Sequence, residues 1–300
     1  MTIALHTEGL CKSWGGVFAN NEVTLALPLG ARHALIGPNG AGKTTFVNLL
    51  TGLYAPSAGR VWLGDADITG LAMHERVRRG LVRTFQINTL FAGLTVIESV
   101  VLAICERTGV ARVWYRTVAS CRDQIREAED LLERLRLAEV ANTRTRDLPY
   151  GKQRLLEIAL ALAMRPRILL LDEPASGIPA AESAEVFEVI AALPSDVTVL
   201  FIEHDMDLVF RFAQRIAVLV DGRLLTEGTP PEIAADQRVR DVYLGESSSK
   251  PSGASPGGGA SPGGGASSGG GASSGGGASS GGGASSGGGA GPPSDAGADP

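Results

Sequence analysis

Short apolar runs alternate with longer amphipathic segments through most of the chain. The apolar runs, rich in Val, Ile and Leu, predict β-strands at 3–7, 23–27, 31–36, 59–65, 168–171, 197–202, 216–220 and 223–226. Segments with apolar residues at helical spacing predict helices at 125–135, 151–163, 180–193 and 206–213. Strands and helices alternate in the second half of the chain, which predicts an α/β core with a mainly parallel sheet.

Two further features of this pattern concern the organisation of the fold. The stretch from about residue 87 to 165 is mostly helical in composition and predicts a helical lobe apart from the sheet. Asp221 and Gly222 separate the last two apolar runs by two residues, which predicts a tight hairpin turn. The chain therefore combines a sheet-forming core with a helical insertion.

Glycine is concentrated at the C-terminal end of the chain. More than half of the 40 glycines lie between residues 251 and 300, where Ser-Ser-Gly-Gly-Gly-Ala repeats and no Val, Ile, Leu or aromatic residue occurs. Such a segment cannot bury enough apolar surface to offset the entropy that is lost on ordering. We therefore expect a folded unit at 1–246, followed by a disordered tail rich in Gly, Ser, Ala and Pro at 247–300.

Composition and charge argue against several classes of protein. No apolar run approaches the roughly 18 residues of a membrane-spanning helix, and residues 1–9 lack the basic start of a signal peptide. The net charge of −5 does not match the basic surface of a nucleic-acid binder, and the basic cluster at 74–79 is typical of a solvated helix face. Three cysteines without metal-type spacing indicate thiols in a reducing compartment. The composition thus predicts a soluble, cytosolic chain.

A glycine-rich motif follows the apolar run at 31–36. It fits the pattern G-x-x-x-x-G-K-[ST] and consists of Gly37, Pro38, Asn39, Gly40, Ala41, Gly42, Lys43, Thr44 and Thr45. The glycines let backbone N–H groups face phosphate oxygens at a helix N-terminus, where the helix dipole favours anions. In such a loop Lys43 supplies a positive charge to the β- and γ-phosphates, and Thr44 supplies a hydroxyl to Mg²⁺.

A second apolar strand ends in two acids, which complements a phosphate-binding loop. Asp172 and Glu173 directly follow the run at 168–171. Asp172 is placed to hold the hydration shell of Mg²⁺, and Glu173 is placed to polarise a water that attacks the γ-phosphate. Two acids after a strand are by themselves typical of a solvated turn, and the phosphate loop is what favours the catalytic interpretation.

Five further segments occur in a fixed order around these two motifs. They are Lys12-Ser13-Trp14, Arg83-Thr84-Phe85-Gln86, Leu148-Pro149-Tyr150-Gly151-Lys152-Gln153, Ala175-Ser176-Gly177-Ile178 and Glu203-His204-Asp205-Met206. These segments resemble the A-loop, Q-loop, signature, D-loop and switch-histidine segments of the ATP-binding subunits of ABC transporters. The resemblance spans nearly all of 1–246. It implies a P-loop NTPase core with a mainly parallel sheet, an N-terminal antiparallel β subdomain and an inserted helical subdomain at about 87–165.

The resemblance implies a role for each matching residue. Trp14 would stack on adenine, and Gln86 would ligate Mg²⁺ and transmit to a membrane subunit. His204 would contact the γ-phosphate and position the attacking water, so that Glu173, His204 and Gln86 form the implied catalytic set. The implied cofactors are ATP and Mg²⁺, and the implied metal ligands are Thr44, Gln86 and Asp172. Core packing is the alternative for Trp14, and a structural role is the alternative for His204.

The signature segment departs from the pattern of the family. The familiar sequence begins Leu-Ser-Gly-Gly-Gln, whereas this chain has Pro149 and Tyr150 at the second and third positions. In the family, the serine reaches the γ-phosphate that the opposite subunit holds. Pro149 has neither a hydroxyl nor an N–H group, so Tyr150, Gly151 and Lys152 would have to supply this contact in trans. The D-loop segment also lacks the usual aspartate and has Ile178 followed by proline instead.

Variants within these segments narrow the resemblance to one branch. Arg-Thr-Phe-Gln, Tyr-Gly-Lys-Gln-Arg, Glu-Pro-Ala-Ser-Gly and Glu-His-Asp-Met together resemble the ATP-binding subunits of branched-chain amino-acid importers. The segments 67–71 and 242–245 fit the same branch. The implied function is ATP hydrolysis that energises an ABC importer of branched-chain or other amino acids. The alternatives are the ATPase of an ABC exporter, such as one for lipopolysaccharide transport, and a soluble ABC ATPase not linked to transport.

Partners and a location are implied as well. Two copies of the chain, or this chain with a related one, would close head to tail on two MgATP. Hydrolysis would open this clamp and move membrane-spanning permease subunits, with a solute-binding protein as an indirect partner and no nucleic acid. The protein would be cytoplasmic and peripheral on the inner face of the cell membrane.

Overall fold

Residues 2–84, 90–110 and 121–247 are described by the structure, a computed structural model. The prediction for Gln86 lies outside these ranges, and so does the predicted disordered tail of 247–300 except for its first residue. Ser247 is instead the last residue of a helix. Within the described ranges, no helix is both long enough and apolar enough to cross a bilayer.

Strands and helices follow one another largely as the hydrophobic pattern predicts. The described strands are β1 (Ile3–Trp14), β2 (Val17–Val23), β3 (Ala26–Pro28), β4 (Arg32–Ile36), β5 (Ala58–Leu63), β6 (Ala66–Asp67), β7 (Leu81–Arg83), β8 (Ile168–Asp172), β9 (Thr198–Ile202), β10 (Arg215–Val220) and β11 (Arg223–Gly228). The described helices are α1 (Lys43–Thr51), α2 (Met73–Arg78), α3 (Val96–Thr108), α4 (Arg122–Arg134), α5 (Tyr150–Ala163), α6 (Ala180–Ala191), α7 (Met206–Phe212), α8 (Pro230–Ala235) and α9 (Gln237–Ser247). The run at 23–27 is divided between β2 and β3, and β1 continues well beyond the predicted strand.

An antiparallel sheet is built from the N-terminal part of the chain, as predicted. Its order is β2-β1-β5-β6, and β3 pairs with the start of β1. The strand β1 is long because it has successive partners along its length: Ile3 lies opposite Pro28 of β3, and Trp14 lies opposite Val17 of β2. Trp14 is thereby placed at the turn between β1 and β2.

The described strands of the second sheet have the order β11-β10-β4-β9-β8-β7. The neighbours from β10 to β7 are parallel, and β11 pairs antiparallel with β10 through a hairpin. Asp221 and Gly222 have φ angles of 48° and 74° in this hairpin, as expected for the predicted tight turn. Because β4 lies between β10 and β9, the loop that follows β4 has a neighbouring strand on each side.

Alternate residues of the central strands belong to two hydrophobic cores. In β4, Leu35 packs in a core shared with α1 and the antiparallel sheet, whereas Ala34 and Ile36 pack in a core shared with α5 and α6. The strand β8 repeats this pattern, with Leu170 in the first core and Leu169 in the second. Both faces of these strands are covered, which is why they read as continuous apolar runs.

The segment between β7 and β8 is helical in its described part, as predicted. A capping box begins α3: the N–H of Glu98 donates to Oγ1 of Thr95 at 3.3 Å, and the N–H of Thr95 donates to Oε2 of Glu98 at 2.8 Å. Arg107 then ties α3 to α4 through two hydrogen bonds to Glu127, at 2.9 and 2.7 Å. The helix α5 leads from this helical part back to β8.

The basic cluster at 74–79 is a solvated helix face with one exception. Arg76 is only 1 % exposed, contrary to the expectation for such a cluster. Its guanidinium donates to the carbonyl oxygens of Leu49 and Leu50, at 2.8 and 2.7 Å, and to that of Thr69 at 2.7 Å. A cation in this place satisfies carbonyl groups at the C-terminal end of α1 and complements the helix dipole. Arg76 therefore anchors the last turn of α1.

Candidate functional site

The C-terminal ends of three parallel strands meet at one edge of the central sheet. The strand β4 ends directly before the phosphate-loop motif, β8 ends at Asp172, and β9 ends directly before Glu203 and His204. The register pairs Ile202 with Asp172 on one side and with Leu35 on the other, so the three ends are level. Open parallel sheets bind their ligands at this edge. The structure thus brings together residues that are far apart in the sequence.

Three glycines give the phosphate loop its conformation. Gly40 and Gly42 have φ angles of 80° and 96°, in the left-handed region that favours glycine. A β-carbon at Gly37 would collide with the carbonyl oxygen of Leu219, and one at Gly42 would collide with that of Ala19. The loop therefore packs against β10 and β2 so closely that a side chain does not fit. It leads directly into the N-terminus of α1, which is the geometry that binds phosphate.

Neighbouring elements hold the phosphate loop in place. The N–H of Gly222 donates to the carbonyl of Ala41 at 3.0 Å. Asn20, which is fully buried, donates from Nδ2 to the carbonyl of Gly42 at 3.3 Å. The N–H of Phe46 donates to the same carbonyl at 2.8 Å as α1 begins. The loop is thus supported by the β10–β11 hairpin, by β2 and by α1.

Lys43 lies across the loop that contains it. Its Nζ donates to the carbonyl oxygens of Gly37 and Pro38, at 2.7 and 2.8 Å. The ammonium group is therefore held over the first residues of the loop. A positive charge in this place adds to the N-terminal dipole of α1 in favouring an anion.

Asp172 is a buried carboxylate with a cationic partner. It is 4 % exposed, and its Oδ2 pairs with Nη2 of Arg83. The same guanidinium donates from Nη1 to Oδ1 of Asn48 on α1 at 2.5 Å. Glu173, the next residue along the chain, has a φ of 49°, a strained backbone conformation of the kind that clusters at active sites. Its N–H donates to the carbonyl of Ile202 at 3.0 Å, which fixes this backbone at the edge of the sheet.

His204 is an exposed side chain that follows a buried acid. The side chain of His204 is 70 % exposed, whereas that of Glu203 is fully buried. Glu203 accepts hydrogen bonds from the backbone N–H groups of Ala175 and His204, at 2.9 and 3.2 Å. Burial raises the pKa of Glu203 above its usual range, against the opposing effect of these donors. Glu203 thus links the switch-histidine segment to the D-loop segment.

Trp14 presents a half-exposed ring at the turn between β1 and β2. The residue is 48 % exposed, and its ring meets Tyr54 edge-on with the centroids 5.4 Å apart. The ammonium group of Lys12 lies 5.2 Å from the centroid of the Trp14 ring and donates to the carbonyl of Ala55 at 2.8 Å. An indole ring that is fixed by its neighbours and partly exposed can stack on a planar base.

The signature segment forms the first turn of α5. Pro149 is the N-cap residue, and Tyr150, Gly151 and Lys152 are the first helical residues. Proline before a helix is compatible with this geometry because the first N–H groups of a helix have no partner within it. The N–H of Gly151 instead donates to Oε2 of Glu182 on α6 at 3.0 Å.

Side chains of this turn also contact α5 and the elements beside it. Nζ of Lys152 lies 2.9 Å from Oε1 of Glu185 on α6. The hydroxyl of Tyr150 accepts a hydrogen bond from Arg154 at 2.8 Å, and its ring lies beside Gly177 of the D-loop segment. Within one chain, the structure thus places the signature residues against α6 and the D-loop segment, and the phosphate-loop residues at the ends of the central strands.

Oxygen donors at the sheet edge suit Mg²⁺. Thr44 offers a hydroxyl and Asp172 a carboxylate, and Mg²⁺ prefers hard oxygen ligands of this kind. Thr44 and Asn48 lie one turn apart on α1, on the same face, and Asn48 shares Arg83 with Asp172. In the part of the chain that the structure describes, His, Cys, Asp and Glu form no group of three or more suited to a metal. The hydroxyl of Thr44 and the carboxylate of Asp172 fit Mg²⁺, because this ion is usually bound by few protein ligands together with water and substrate phosphates.

Several residues that hold the site together have no role in the sequence-based prediction. They are Asn20, Asn48, Arg83, Glu182 and Glu203. Arg83 and Glu203 fall within recognised segments, and each adjoins an apolar run. A charged residue at the end of a buried strand needs a partner. The positions of Arg83 and Glu203 beside apolar runs could therefore have predicted that both residues are paired. The remaining three act through contacts that only the folded chain reveals.

This strand order, with a phosphate loop after an interior parallel strand, defines the class of P-loop nucleotide-binding proteins. A family model described as ABC transporter matches residues 20–176, and the chain belongs to this family, whose ATP-binding cassettes are ATPases. A second model, described as branched-chain amino acid ATP-binding cassette transporter, matches residues 223–248. The predicted fold class and family are thereby confirmed.

Similar proteins in other organisms carry related names. The chain is 43 % identical over 250 residues to the high-affinity branched-chain amino acid transport ATP-binding protein LivG of Salmonella typhimurium, covering 81 % of this chain and 98 % of LivG. It is 42 % identical, with the same coverage, to BraF of Pseudomonas aeruginosa, which carries the same description. It is 36 % identical over 247 residues to the lipopolysaccharide export system ATP-binding protein LptB of Acidithiobacillus ferridurans, covering 82 % and 98 %.

Solved structures of ATP-binding cassettes share the fold. An ATP-binding cassette of an ABC transporter superimposes with a TM-score of 0.72 at 28 % identity, covering 81 % of this chain and 99 % of that one. A dimeric cassette in a post-hydrolysis state, bound to ADP and Pi, superimposes with a TM-score of 0.62 at 25 % identity, covering 75 % and 98 %. Both likenesses extend over nearly the whole of the solved cassettes.

Proposed function

We propose that this chain binds and hydrolyses MgATP at the edge of its central sheet. The observation that carries the proposal is that Lys43, Glu173 and His204 follow three level strand ends, those of β4, β8 and β9. Membership of the ABC transporter family supports it. The exposed ring of Trp14 stacks on the adenine, and the N–H groups of the phosphate loop surround the phosphates together with the ammonium group of Lys43.

Each of the remaining side chains at this edge has a distinct task in hydrolysis. Thr44 and Asp172 at this edge, together with Gln86 outside the described residues, would hold Mg²⁺, which would neutralise charge on the phosphate oxygens. Glu173 accepts a proton from the attacking water. His204 contacts the γ-phosphate and orients that water. The strained backbone at Glu173 supports this assignment, because such conformations cluster at active sites.

We further propose that two cassettes close head to tail on two nucleotides. The solved dimer with ADP and Pi, whose fold this chain shares, supports such an assembly. The turn formed by Tyr150, Gly151 and Lys152 in one cassette then contacts the γ-phosphate that the other holds. The N–H of Gly151, which binds Glu182 within the single chain, becomes a donor to phosphate. The second cassette is either an identical copy or a related chain.

The cargo that we propose is a branched-chain amino acid. The similarity to LivG and BraF supports this class, as does the family match at 223–248. In this proposal the cassette at 1–246, with its helical subdomain at about 87–165, acts from the cytoplasmic face of the membrane on permease subunits. A solute-binding protein delivers the amino acid to those subunits, and the tail rich in Gly, Ser, Ala and Pro has no part in hydrolysis.

Purification from native membranes tests the transport assignment. The tagged full-length chain is isolated in mild detergent, its partners are identified, and uptake of radiolabelled leucine is measured in cells that lack the untagged chain. We expect permease subunits to co-purify and leucine uptake to depend on the chain. Glu173→Gln serves as the matched control, because it should retain the permease subunits and support no uptake.

Two other outcomes would contradict the importer assignment. Co-purification of lipopolysaccharide-export components would favour the exporter alternative. The similarity to LptB is the reason for considering this alternative. Hydrolysis of ATP without any membrane partner would favour a soluble ABC ATPase.

A further inference from the structure

The guanidinium of Arg83 joins three segments at the edge of the central sheet. Arg83 ends β7, its Nη2 pairs with Oδ2 of Asp172 at the end of β8, and its Nη1 donates to Oδ1 of Asn48 on α1 at 2.5 Å. The side chains of Arg83 and Asp172 are 10 % and 2 % exposed. Both charges of this pair are largely withdrawn from water, and the pairing compensates for part of the cost of burying them.

Asn48 connects this ion pair to the phosphate loop. Thr44 and Asn48 are four residues apart on α1, so their side chains lie on the same face, one turn apart. Thr44 and Asp172 are the two described residues proposed to hold Mg²⁺ and its hydration shell. Arg83 therefore contacts Asp172 directly. It also contacts α1 at Asn48, one helical turn after Thr44.

Pairing of β7 with β8 fixes the backbone from which Arg83 extends. Arg83 lies opposite Leu170 in the parallel ladder, and the N–H of Thr84 donates to the carbonyl of Leu170 at 3.0 Å. Leu170 is two residues before Asp172 on the same strand. The backbone from which Arg83 extends is thus fixed to β8 two residues before Asp172. A guanidinium whose backbone is fixed by the sheet and whose Nη1 is bound to Asn48 can set the orientation of the Asp172 carboxylate.

Arginine is suited to this place in a way that lysine is not. Its planar guanidinium presents N–H groups in fixed directions, whereas a lysine ammonium is a point charge on a flexible stem. The two acceptors, Asn48 and Asp172, belong to different elements of the fold. The contact with both is therefore a geometric constraint in addition to an electrostatic attraction.

We propose that Arg83 is a positioning residue for the metal: it holds Oδ2 of Asp172 so that the carboxylate faces the hydration shell of Mg²⁺ beside Thr44. This proposal deepens the proposed function and rests on the MgATP site described there. Arg83 acts through Asp172, so its replacement weakens the response to Mg²⁺ and leaves the binding of metal-free nucleotide unchanged. Replacing the outer partners of metal ligands commonly changes metal affinity by about 10- to 100-fold.

A comparison of Arg83→Lys with Arg107→Lys tests this proposal. Arg107 makes a two-pronged contact with Glu127 between α3 and α4, so the same substitution there removes a guanidinium fork outside the nucleotide site. Both substitutions keep the positive charge and remove the planar guanidinium, so any difference from the unsubstituted chain reports on the geometry of the contact. Binding of a fluorescent, non-hydrolysable ATP analogue (mant-AMPPNP) to the full chain is measured first in EDTA and then with increasing Mg²⁺.

We expect a selective change in the response to Mg²⁺. For Arg83→Lys, the Mg²⁺ concentration at half-maximal response rises about tenfold or more, while the affinity for the analogue in EDTA stays within about twofold of that of Arg107→Lys. Asn48→Ala removes the second acceptor of the guanidinium and shifts the Mg²⁺ response in the same direction. The double variant of Arg83 and Asn48 shifts it no further than Arg83→Lys alone, because the two residues act as a unit.

Three results would overturn the proposal. The first is an identical Mg²⁺ titration for the two lysine variants. The second is an equal loss of analogue affinity in EDTA and in Mg²⁺, which identifies a purely structural role. The third is an unsubstituted chain that binds no analogue in either condition, in which case the proposed function fails as well. Thermal unfolding checks each variant, and Asn48→Ala decides the matter if Arg83→Lys does not fold.

Discussion

The ammonium group of Lys43 donates a hydrogen bond to the carbonyl oxygen of Gly37 at 2.7 Å, across the loop that joins β4 to α1. This contact connects the last part of the phosphate-loop motif to its first residue. It places a positive charge at the start of α1, where the helix dipole also favours an anion. The loop and its lysine therefore form one anion-binding unit.

Replacement of Lys43 by methionine tests this unit. We expect the affinity for ATP to fall about 10- to 100-fold, because hydrogen bonds to charged groups contribute about 1.5–3 kcal/mol each. Titration calorimetry with ATP measures the change. Arg60→Met is the control, since Arg60 is an exposed residue of β5 whose loss removes one positive charge from the surface. Equal affinities for the two variants would contradict the role of Lys43.

The exposed ring of Trp14 leads to a second prediction. Stacking of a base on an aromatic side chain contributes about 1–3 kcal/mol, so Trp14→Ala should weaken ATP binding by about 5- to 100-fold. Trp14→Phe keeps an aromatic face and should retain most of the affinity. Titration calorimetry again provides the measurement. If the alanine variant binds ATP as tightly as the phenylalanine variant, Trp14 does not stack on the base.

The buried guanidinium of Arg76 leads to a prediction about stability. Arg76→Met removes the hydrogen bonds to Leu49, Leu50 and Thr69 and leaves their carbonyl groups without this donor. We expect the free energy of unfolding in urea to fall by about 3 kcal/mol or more. Arg78→Met, an exposed change on the same helix, should stay within about 0.5 kcal/mol of the unsubstituted chain. Similar values for the two variants would show that Arg76 is not an anchor of α1.

His33 makes the stability of the fold depend on pH. It is a buried residue of β4, and within the described ranges neither ring nitrogen has a hydrogen-bond partner. Burial lowers its pKa to about 4, although Glu227 acts in the opposite direction; Arg215 adds to the lowering. The unfolded chain titrates at about 6.5, so the unfolded state binds the extra proton as the pH falls from about 6.5 to 4. Stability is therefore lost over this interval, by up to about 3 kcal/mol.

Urea unfolding at a series of pH values measures this loss. We expect His33→Gln to have a flatter profile than the unsubstituted chain between about pH 6.5 and 4, because the buried titrating ring is gone. His74→Gln is the control, since His74 is exposed on α2 and should leave the profile unchanged. Parallel profiles for both variants would exclude His33 as a source of the pH dependence.

The parts of the site that lie in continuous motifs could be predicted from the sequence. The phosphate loop is a single run of residues after an apolar strand, and Asp172 and Glu173 directly follow another such strand. The local pattern therefore places each of them at a strand end. Because the alternation of strands and helices predicts a parallel sheet, it also predicts that these ends share one edge.

Contacts between distant segments could not be predicted in the same way. Arg83 and Asp172 are 89 residues apart in the sequence, and Asn48 and Arg83 are 35 apart. The contact between Arg83 and Asp172 depends on the strand order, in which β7 lies beside β8. Hydrophobic periodicity does not specify that order. For a similar reason the charge pattern at 74–79 predicts a solvated face, because the burial of Arg76 depends on where α1 ends in space.

The central claim is that Glu173 accepts the proton of the water that attacks ATP. It directly follows β8, at the same edge of the sheet as the phosphate loop, and has a strained backbone, which fits this role. Glu173→Gln keeps the size of the side chain and removes its capacity to act as a base. Glu139→Gln is the matched control, because Glu139 is exposed and follows α4 in the helical part.

Phosphate release at saturating MgATP tests this claim most directly. The rate for Glu173→Gln should fall by at least about 100-fold, because general-base catalysis commonly contributes that much or more. The same variant should still bind ATP and form dimers, and Glu139→Gln should release phosphate at the rate of the unsubstituted chain. Phosphate release by Glu173→Gln at the rate of Glu139→Gln would contradict the account.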